Sequence, residues 1–371
     1  MAIANTDFGA LTTAQKKVWS AKLWMQYRDE SFWMSNGFIG TNGNTPVQRV
    51  TELTKTERGL ECVMQLVNDL EGDGVVGDNT LEGNEEQMVN DAQIIKIDQL
   101  RNAVKSKGRM SEQATVIRFR EQAKDKLGFW LPDKLDELMF LTVSGRAYTY
   151  KTNLATRAAG SQLPQLAFAS DVAAPSTNRV KYAGSATSEA TLTTSDKMTW
   201  NGIVGYKSFA HRQGIRPIRQ GGKEYYAIVM SPEQRRDLLQ DTNYQTIVSR
   251  AQERGSNNPL FKNALAVVDG VILYEHRKVI NTLGLTSGVD KWGSGNTVDG
   301  AQAVLMGAGA MGFTTLGGGE WNESDNTDYG NKTGIGYGQM VGLLKPQYKP
   351  TASSSTREDY GTIAVKTAAA A

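Results

Sequence analysis

The chain has 371 residues, of which 39% are hydrophobic, so it is long enough for one large core or two smaller ones. Its 41 Lys and Arg residues nearly balance 39 Asp and Glu residues, which disfavours tight direct binding of nucleic acid. The single cysteine, Cys62, excludes an intrachain disulfide framework and suits a reducing cytosol. The start lacks the features of a signal peptide, and no apolar run reaches the roughly 20 residues of a membrane-spanning helix. We therefore expect a protein made in the cytoplasm, with no membrane partner.

Residues 14–33 predict a helix that is apolar around most of its circumference. Its apolar positions are Val18, Trp19, Ala21, Leu23, Trp24, Met25, Tyr27, Phe32 and Trp33. Such a helix needs burial on several sides, and two interpretations stay open. It is either a central core helix or an arm that packs against neighbouring subunits, where aromatic residues are favoured.

A long acidic stretch follows. No Lys or Arg occurs between Gly59 and Ile95, whereas nine carboxylates do. The centre, residues 71–83, is rich in Gly and Asp and favours turns. Strand-like runs flank it, at Val47–Leu53 and Gly59–Val67 before it and at Ala92–Val104 after it. The pattern predicts an extended hairpin loop of about sixty residues, and a loop of that length usually serves a function.

The longest predicted helix begins near Ser111, which can cap it. Apolar residues then recur at helical spacing, at Val116, Phe119, Ala123, Leu127, Trp130, Leu135, Leu138 and Met139. Pro132 is expected to break or kink this helix, and Gly145 is expected to end it.

The second half of the chain alternates short strands and helices. Residues 152–193 and 320–333 predict loops, and Ser195–His211 predicts a short helix. The run Ser231-Pro232-Glu233-Gln234 is a strong helix start, with the helix expected to reach about Glu253. Strands are predicted at Glu224–Met230, Ala264–Val268, Val271–Glu275, Gly334–Leu344 and Tyr360–Lys366, with a hairpin turn at Asp269-Gly270.

Motifs that could carry chemistry are weak. The run Gly307–Gly312 matches G-x-G-x-x-G, but the following residues cannot form the helix that a dinucleotide fold requires. We interpret it as a Gly-rich strand or close-packed turn. Residues 69–74 resemble the start of a calcium loop, but the twelfth position is Thr80 instead of Glu. Two histidines, His211 and His276, and one cysteine cannot form a zinc site of the usual spacing. We expect no catalytic, cofactor or metal site.

Basic residues outnumber acidic ones by ten to five between Lys207 and Lys262. One interpretation is a solvated helical surface. The other pairs this surface with the acidic loop of a neighbouring subunit.

The order of these parts carries a resemblance. Six segments follow one another in the order seen in a known family. They are the aromatic run 23–33, the stretches Arg49–Leu66 and Gln93–Gly108, the helix Val116–Gly145, and the segments Ala227–Pro232 and Val268–Glu275. The chain resembles the major capsid proteins of tailed bacteriophages, and most of all the N-four-type podovirus capsid family.

The resemblance implies an α+β fold with five parts. They are an N-terminal arm (1–46), an extended loop or E-loop (47–108), a peripheral domain with a long spine helix (109–200), an axial domain with the remaining core (201–345), and a C-terminal strand and tail (346–371). It implies hexamers and pentamers in an icosahedral head, assembled in the host cytoplasm around double-stranded DNA that is contacted non-specifically. A separate scaffolding protein, a portal and a cement protein are the further partners it suggests. The alternatives are an encapsulin-like nanocompartment shell of the same fold and, more remotely, a nucleotide-binding enzyme.

The same fold implies that the acidic loop lies over a neighbouring subunit. The contact residues predicted on this basis are Trp19, Trp24 and Trp33 of the arm, Glu71, Asp73 and Asp78 of the loop, and Arg118, Arg120, Lys124, Lys126, Arg235 and Arg236 as their cationic partners. Each exposed ion pair contributes only about 0 to 1 kcal/mol, but a shell repeats it many times.

Overall fold

The structure, a computed structural model, describes residues 31–51, 59–67, 72–86, 90–110, 119–250, 266–327, 331–350, 354 and 356–370. Predictions for the helix before residue 31, for the capped helix start at 111–118 and for the segment 69–71 lie outside these ranges. No helix within the described ranges is long and apolar enough to cross a membrane.

Five α-helices lie in the described residues. They are α1 (Phe32–Ser35), α2 (Phe119–Ser144), α3 (Trp200–Arg212), α4 (Pro232–Gln240) and α5 (Thr242–Arg250). The long predicted helix is confirmed as α2, which continues through Pro132. It ends before Gly145, whose φ of 65° is the left-handed conformation that glycine adopts most easily.

The predicted helix after Ser231 starts correctly but is two helices. Ser231 and Gln234 form the expected capping box. The chain leaves the helical conformation at Asp241, between α4 and α5. The Asp241 carboxylate accepts hydrogen bonds from the backbone N–H groups of Trp200 (2.7 Å) and Asn243 (3.1 Å). This carboxylate therefore satisfies backbone N–H groups in the first turn of two helices, the following α5 and the earlier α3.

Seventeen strands lie in the described residues. They are β1 (Ile39–Gly40), β2 (Val47–Arg49), β3 (Glu61–Val67), β4 (Asn90–Lys96), β5 (Asp98–Lys105), β6 (Val180–Tyr182), β7 (Ile218–Gln220), β8 (Lys223–Met230), β9 (Ala266–Val268), β10 (Val271–Glu275), β11 (Ile280–Asn281), β12 (Gly300–Met306), β13 (Met311–Thr327), β14 (Lys332–Leu344), β15 (Gln347–Tyr348), β16 (Glu358–Asp359) and β17 (Thr362–Ala368).

One sheet has the order β1-β2-β13-β14-β5. Its centre is the long antiparallel hairpin of β13 and β14, so the prediction of a polar loop at 320–333 is wrong over most of its length. Polar residues such as Glu320 and Asn322 hid the strand in the sequence. Between them Trp321 faces Tyr337 across the hairpin, and both side chains are buried.

The larger sheet has the order β6-β17-β12-β8-β10-β9, with β7 and β11 paired alongside β8 and β12. The Asp269-Gly270 turn between β9 and β10 is confirmed, and both residues have positive φ, 46° and 79°. The last strand, β17, lies inside this sheet between β6 and β12 and is buried along its length.

The hydrophobic core has two main parts on opposite faces of the larger sheet. Ala227 and Val229 of β8 face the core that α2 and the five-stranded sheet share. Their neighbours Ile228 and Met230 face a second core, shared with α3 and α4. Burial on both faces explains why Tyr226–Met230 is an unbroken buried run.

The run Gly307–Gly312 connects β12 to β13 and is strand, turn and strand, as interpreted from the sequence. A Cβ atom at Gly307 would lie 2.3 Å from the Arg216 carbonyl oxygen, so the turn is close-packed. A strand-to-strand turn does not provide the helix N-terminus of a dinucleotide site, and this excludes the nucleotide-binding interpretation of the motif.

Candidate inter-subunit surfaces

Strands β3 and β4 form a two-stranded hairpin outside the two large sheets, as predicted for the acidic loop. One face packs on the subunit, where Cys62, Met64 and Ile95 join a small core with Leu344. The opposite face exposes Val63 (38%) and Ile94 (48%), which are directly paired across the strands. Leu60, just before β3, is 74% exposed. This apolar stripe on a projecting hairpin is a surface suited to a partner.

The far end of the hairpin, residues 72–86, is here called the acidic tip. Its carboxylates Asp73, Asp78, Glu82, Glu85 and Glu86 are all exposed. Hydrogen bonds between side chains and the backbone organise it, for example from the Gly72 N–H to the Glu86 carboxylate (2.7 Å) and from the Gly83 N–H to the Glu85 carboxylate (2.8 Å). Two apolar side chains, Val76 (78% exposed) and Leu81 (62% exposed), lie among the charges. Glu71 lies outside the described residues.

Of the cations predicted to meet this loop, Arg120, Arg235 and Arg236 pair within their own chain, whereas Lys126 is exposed on α2 and Lys124 is half-buried there. Arg120 forms a bidentate pair with Glu323, with its Nε 2.9 Å from Glu323 Oε1. Arg235 pairs with Glu275 at 2.6 Å. Arg236 pairs with Asp237 at 3.3 Å and donates to the Ala370 carbonyl oxygen. Arg118 lies outside the described residues. Those three arginines therefore act first within the subunit, which the sequence could not show because their partners lie up to 203 residues away.

A different set of cations is free. Arg101, Lys105, Lys107 and Arg109, here called the basic row, are all exposed, and none forms an ion pair with a described residue. Between them Ser106 and Gly108 are buried, and the chain leaves β5 after Lys105 and is helical at Arg109. Sequence reasoning missed this set. The signal was present in the sequence as Lys105-Ser-Lys107-Gly-Arg109, with a basic residue at every second position.

The strand that carries the start of the basic row, β5, is an edge strand of the five-stranded sheet. Two of its amide groups are satisfied by the preceding side chain: Gln99 N–H donates to Asp98 Oδ1 (2.7 Å) and Ala103 N–H to Asn102 Oδ1 (2.9 Å). Asp98 also accepts from the Ala167 N–H at 2.8 Å. Satisfied amides and exposed cations both discourage pairing with another strand. A partner would therefore meet the side chains of this edge and not a row of unpaired backbone N–H and C=O groups.

The N-terminal segment joins the body of the subunit at Asp136 of α2. The buried Asp136 carboxylate accepts hydrogen bonds from the Ser31 hydroxyl (2.7 Å) and the Phe32 N–H (2.8 Å). Burial raises the pKa of the Asp136 carboxyl to about 6, while the two hydrogen bonds oppose the rise. The contact fixes where the segment meets the spine helix.

Trp33 was expected to contact a neighbouring subunit, and the structure places it elsewhere. Its side chain is fully buried in the main core, 4.9 Å from the Phe140 ring centre. It therefore belongs to the core of its own subunit. Trp19 and Trp24 lie outside the described residues.

His276 lies beside this junction. Its ring stacks on Phe140, with 4.8 Å between ring centres and an 11° angle between planes, and also contacts Phe32. Burial, together with the neighbouring Lys278 and Arg277 charges, lowers the pKa of His276 to about 4, and the Asp133 charge opposes the shift. A cleft of about 400 Å³ adjoins the ring, lined by Phe129, Trp130, Asp133 and Lys278 among others. The arrangement is that of a structural histidine.

The described residues contain no group of three or more His, Cys, Asp or Glu side chains that could hold a metal ion. The molecule instead has a two-part core, a hairpin with an exposed apolar stripe, and separate exposed acidic and basic surfaces; Asp73, Asp78, Glu82, Glu85 and the basic row form no ion pair with a described residue. These features define a structural subunit of a protein shell.

Comparison with known proteins identifies the kind of shell. The family model described as phage capsid protein matches residues 7–371, and the chain belongs to this family. The chain is 40% identical over 374 residues to the major capsid protein of Pseudomonas phage KPP25, covering 98% of each. It is similar to the capsid of Ralstonia phage GP4, with 28% identity, a TM-score of 0.77, and 93% and 92% of the two chains covered. The capsid of cyanophage Pam1 has the same fold, with 20% identity, a TM-score of 0.71, and 99% and 100% coverage.

The chain is therefore a major capsid protein of a tailed-phage head, a structural protein and not an enzyme. Two kinds of shell protein were considered from the sequence. Membership of the phage capsid family supports the phage capsid and does not support the nanocompartment shell.

Proposed function

We propose that this subunit forms hexamers and pentamers of an icosahedral head around double-stranded DNA, with the hairpin of each subunit lying over a neighbour. The observation that carries the proposal is the exposed pair Val63 and Ile94 on a hairpin whose opposite face is already buried. A stripe of this kind is covered when another subunit packs on it.

We propose the division of the chain inferred from the sequence, with one refinement in the loop. Within residues 47–108, only β3 and β4 pair with each other. Strands β2 and β5 pair with β13 and β14 of the five-stranded sheet, so the projecting part is the hairpin from β3 to β4. Within the family, the order of arm, loop, spine helix and closing strand supports placement in the N-four-type podovirus group.

The remaining partners follow from this role. Near-neutral charge, 41 basic against 39 acidic residues, supports weak and non-specific contact with packaged DNA in place of tight binding. A separate scaffolding protein, a portal and a cement protein are proposed as partners in assembly and stabilisation of the head.

Sedimentation velocity on the purified chain tests the proposal. The chain is measured alone and after co-expression with the scaffolding protein of the same phage. We expect particles of very large and uniform mass under at least one of these conditions. A chain that stays a monomer across protein concentration, salt and scaffold would overturn it.

A further inference from the structure

We propose that the acidic tip of one subunit binds the basic row of a second copy of the chain. The proposal rests on the proposed function and identifies the two surfaces that meet within it. It differs from the pairing expected from the sequence, which placed the partners on the spine helix and the later helices.

The first argument is charge without local compensation. Asp73, Asp78, Glu82 and Glu85 form no ion pair with a described residue, and residues 72–86 contain no Lys or Arg. The four cations of the basic row are equally unpaired within the described part of the chain. Like charges crowded on one surface repel, so each set is stabilised when the opposite set approaches.

The second argument is distance within one subunit. Lys105 pairs with Gly334 at one end of β14, and Asp98 pairs with Val341 towards the other end. Strand β4 continues beyond that other end, where the Lys96 carbonyl oxygen lies against Gly342. From Asn90 to Lys105 the path spans about 50 Å at an extended rise of roughly 3.3 Å per residue. The acidic tip and the basic row therefore extend from opposite ends of the β4–β5 path, an arrangement that favours contact between copies over contact within one subunit.

Complementary patches at opposite ends of this path make a head-to-tail contact. A contact of this type repeats around a ring and closes when the rotation between subunits divides the circle. It therefore supports rings of five and six subunits, whereas a symmetric contact would stop at a dimer.

The third argument is apolar surface beside the charges. Val76 and Leu81 are largely exposed on the acidic tip, and Met110, next to Arg109, is 85% exposed. Exposed ion pairs are screened by salt and contribute little when fully hydrated. Apolar side chains that come together beside them exclude water and strengthen the contact.

The charge-swap experiment compares three variants. We expect K105E/K107E to raise the subunit concentration needed for half-assembly by about tenfold or more, the effect of losing several weak pairs together. The control K151E/K223E changes the net charge equally at two other exposed lysines and should assemble like the parent. Combining K105E/K107E with D73K/D78K should restore assembly, because the charges are exchanged. Circular dichroism and thermal midpoints establish that each variant is folded.

A crosslinking experiment tests the geometry directly. We expect D78C/K107C, oxidised after assembly, to give a ladder of disulfide-linked oligomers up to pentamers and hexamers on a denaturing gel. The native Cys62 is buried and does not compete. The matched pair D78C/K151C should stay largely monomeric.

The outcomes separate the two proposals. One outcome would overturn this contact and leave the capsid function intact. In that outcome the parent and K105E/K107E assemble equally well, and D78C/K107C gives no ladder. A ladder for D78C/K107C together with rescue by charge exchange supports it. A ladder of equal strength from D78C/K151C also overturns it, because the tip would then lack a specific partner.

Discussion

Val63 and Ile94 face each other across the two strands of the projecting hairpin, and both expose their side chains to solvent. Their neighbours Cys62 and Ile95, one residue away, are paired in the same way and are buried. A two-stranded hairpin is only marginally stable alone. Here one face is held by the subunit, and the other is left free for assembly.

Replacing both exposed residues, V63S/I94S, should leave the subunit folded and reduce assembly strongly, because the apolar area available to a neighbour is removed. The measurement is the assembled fraction by sedimentation, with thermal unfolding as the control for folding. The conservative V63L variant keeps the apolar surface and should assemble like the parent. Equal assembly by V63S/I94S would show that this face stays in solvent.

Ser31→Ala removes one of the two hydrogen bonds to the buried Asp136 carboxylate. We expect the free energy of unfolding to fall by about 1.5 to 3 kcal/mol, the usual range for a hydrogen bond to a charged group. Urea unfolding measures the change. Ser35→Ala is the matched control, because its hydroxyl contacts only the Phe32 carbonyl oxygen, at 3.3 Å, and should change stability much less.

Gly145→Ala places a Cβ atom 2.4 Å from the Ala173 carbonyl oxygen in a backbone with φ of 65°. We expect a loss of stability of at least about 3 kcal/mol, since the left-handed conformation and the clash add together. Gly214→Ala is the control: its φ is 70°, but no atom lies within 4 Å of the added Cβ. It should lose only about 1 kcal/mol, for the backbone conformation alone. Similar losses for the two variants would contradict the close packing at Gly145.

The stability of the subunit should depend on pH through His276. The folded state binds a proton on His276 only near pH 4, whereas the unfolded chain binds it near 6.5, so acid favours unfolding. The contribution is complete above pH 6.5 and is lost as pH falls towards 4, by roughly 3 kcal/mol. The groups that face the ring are Asp133, Asp136, Arg277 and Lys278, from α2 and from the turn after β10.

His276→Phe keeps the ring stack and removes the titration, so the stability of the variant relative to the parent should increase as pH falls from 6.5 to 4. Asp136 acts in the opposite direction, because its pKa is raised: its contribution favours folding at low pH and falls as pH rises through about 6. The test is urea unfolding across this range. An unchanged pH profile for the variant would show that His276 does not titrate as described.

Elements with local signals could be predicted from the sequence. Ser231 and Gln234 define a capping box within four residues, and Asp269-Gly270 defines a turn within two, and both are as predicted. The hairpin of β3 and β4 follows from its turn-rich centre and flanking strands. What failed depends on partners far along the chain. The segment 320–333 has the composition of a polar loop, but β13 and β14 pair across it, and Glu323 binds Arg120, which lies 203 residues away in the sequence.

In the candidate site, too, the features with a local sequence signal could be predicted, and those that depend on distant partners could not. The acidic tip was visible as a stretch without Lys or Arg, because composition alone identifies it. Its expected cationic partners stay a prediction, and the sequence could not show that Arg120 pairs with Glu323 and Arg235 with Glu275 in the folded chain. Trp33 likewise needed the fold, since an aromatic residue suits a core and an interface equally well.

The central claim is that this chain closes a shell by binding copies of itself, and electron microscopy of the purified protein tests it most directly. The account predicts closed, roughly spherical shells of one or a few discrete diameters from the parent, and few or none from V63S/I94S at the same concentration. Single subunits in every parent field, with or without the scaffolding protein, would contradict it.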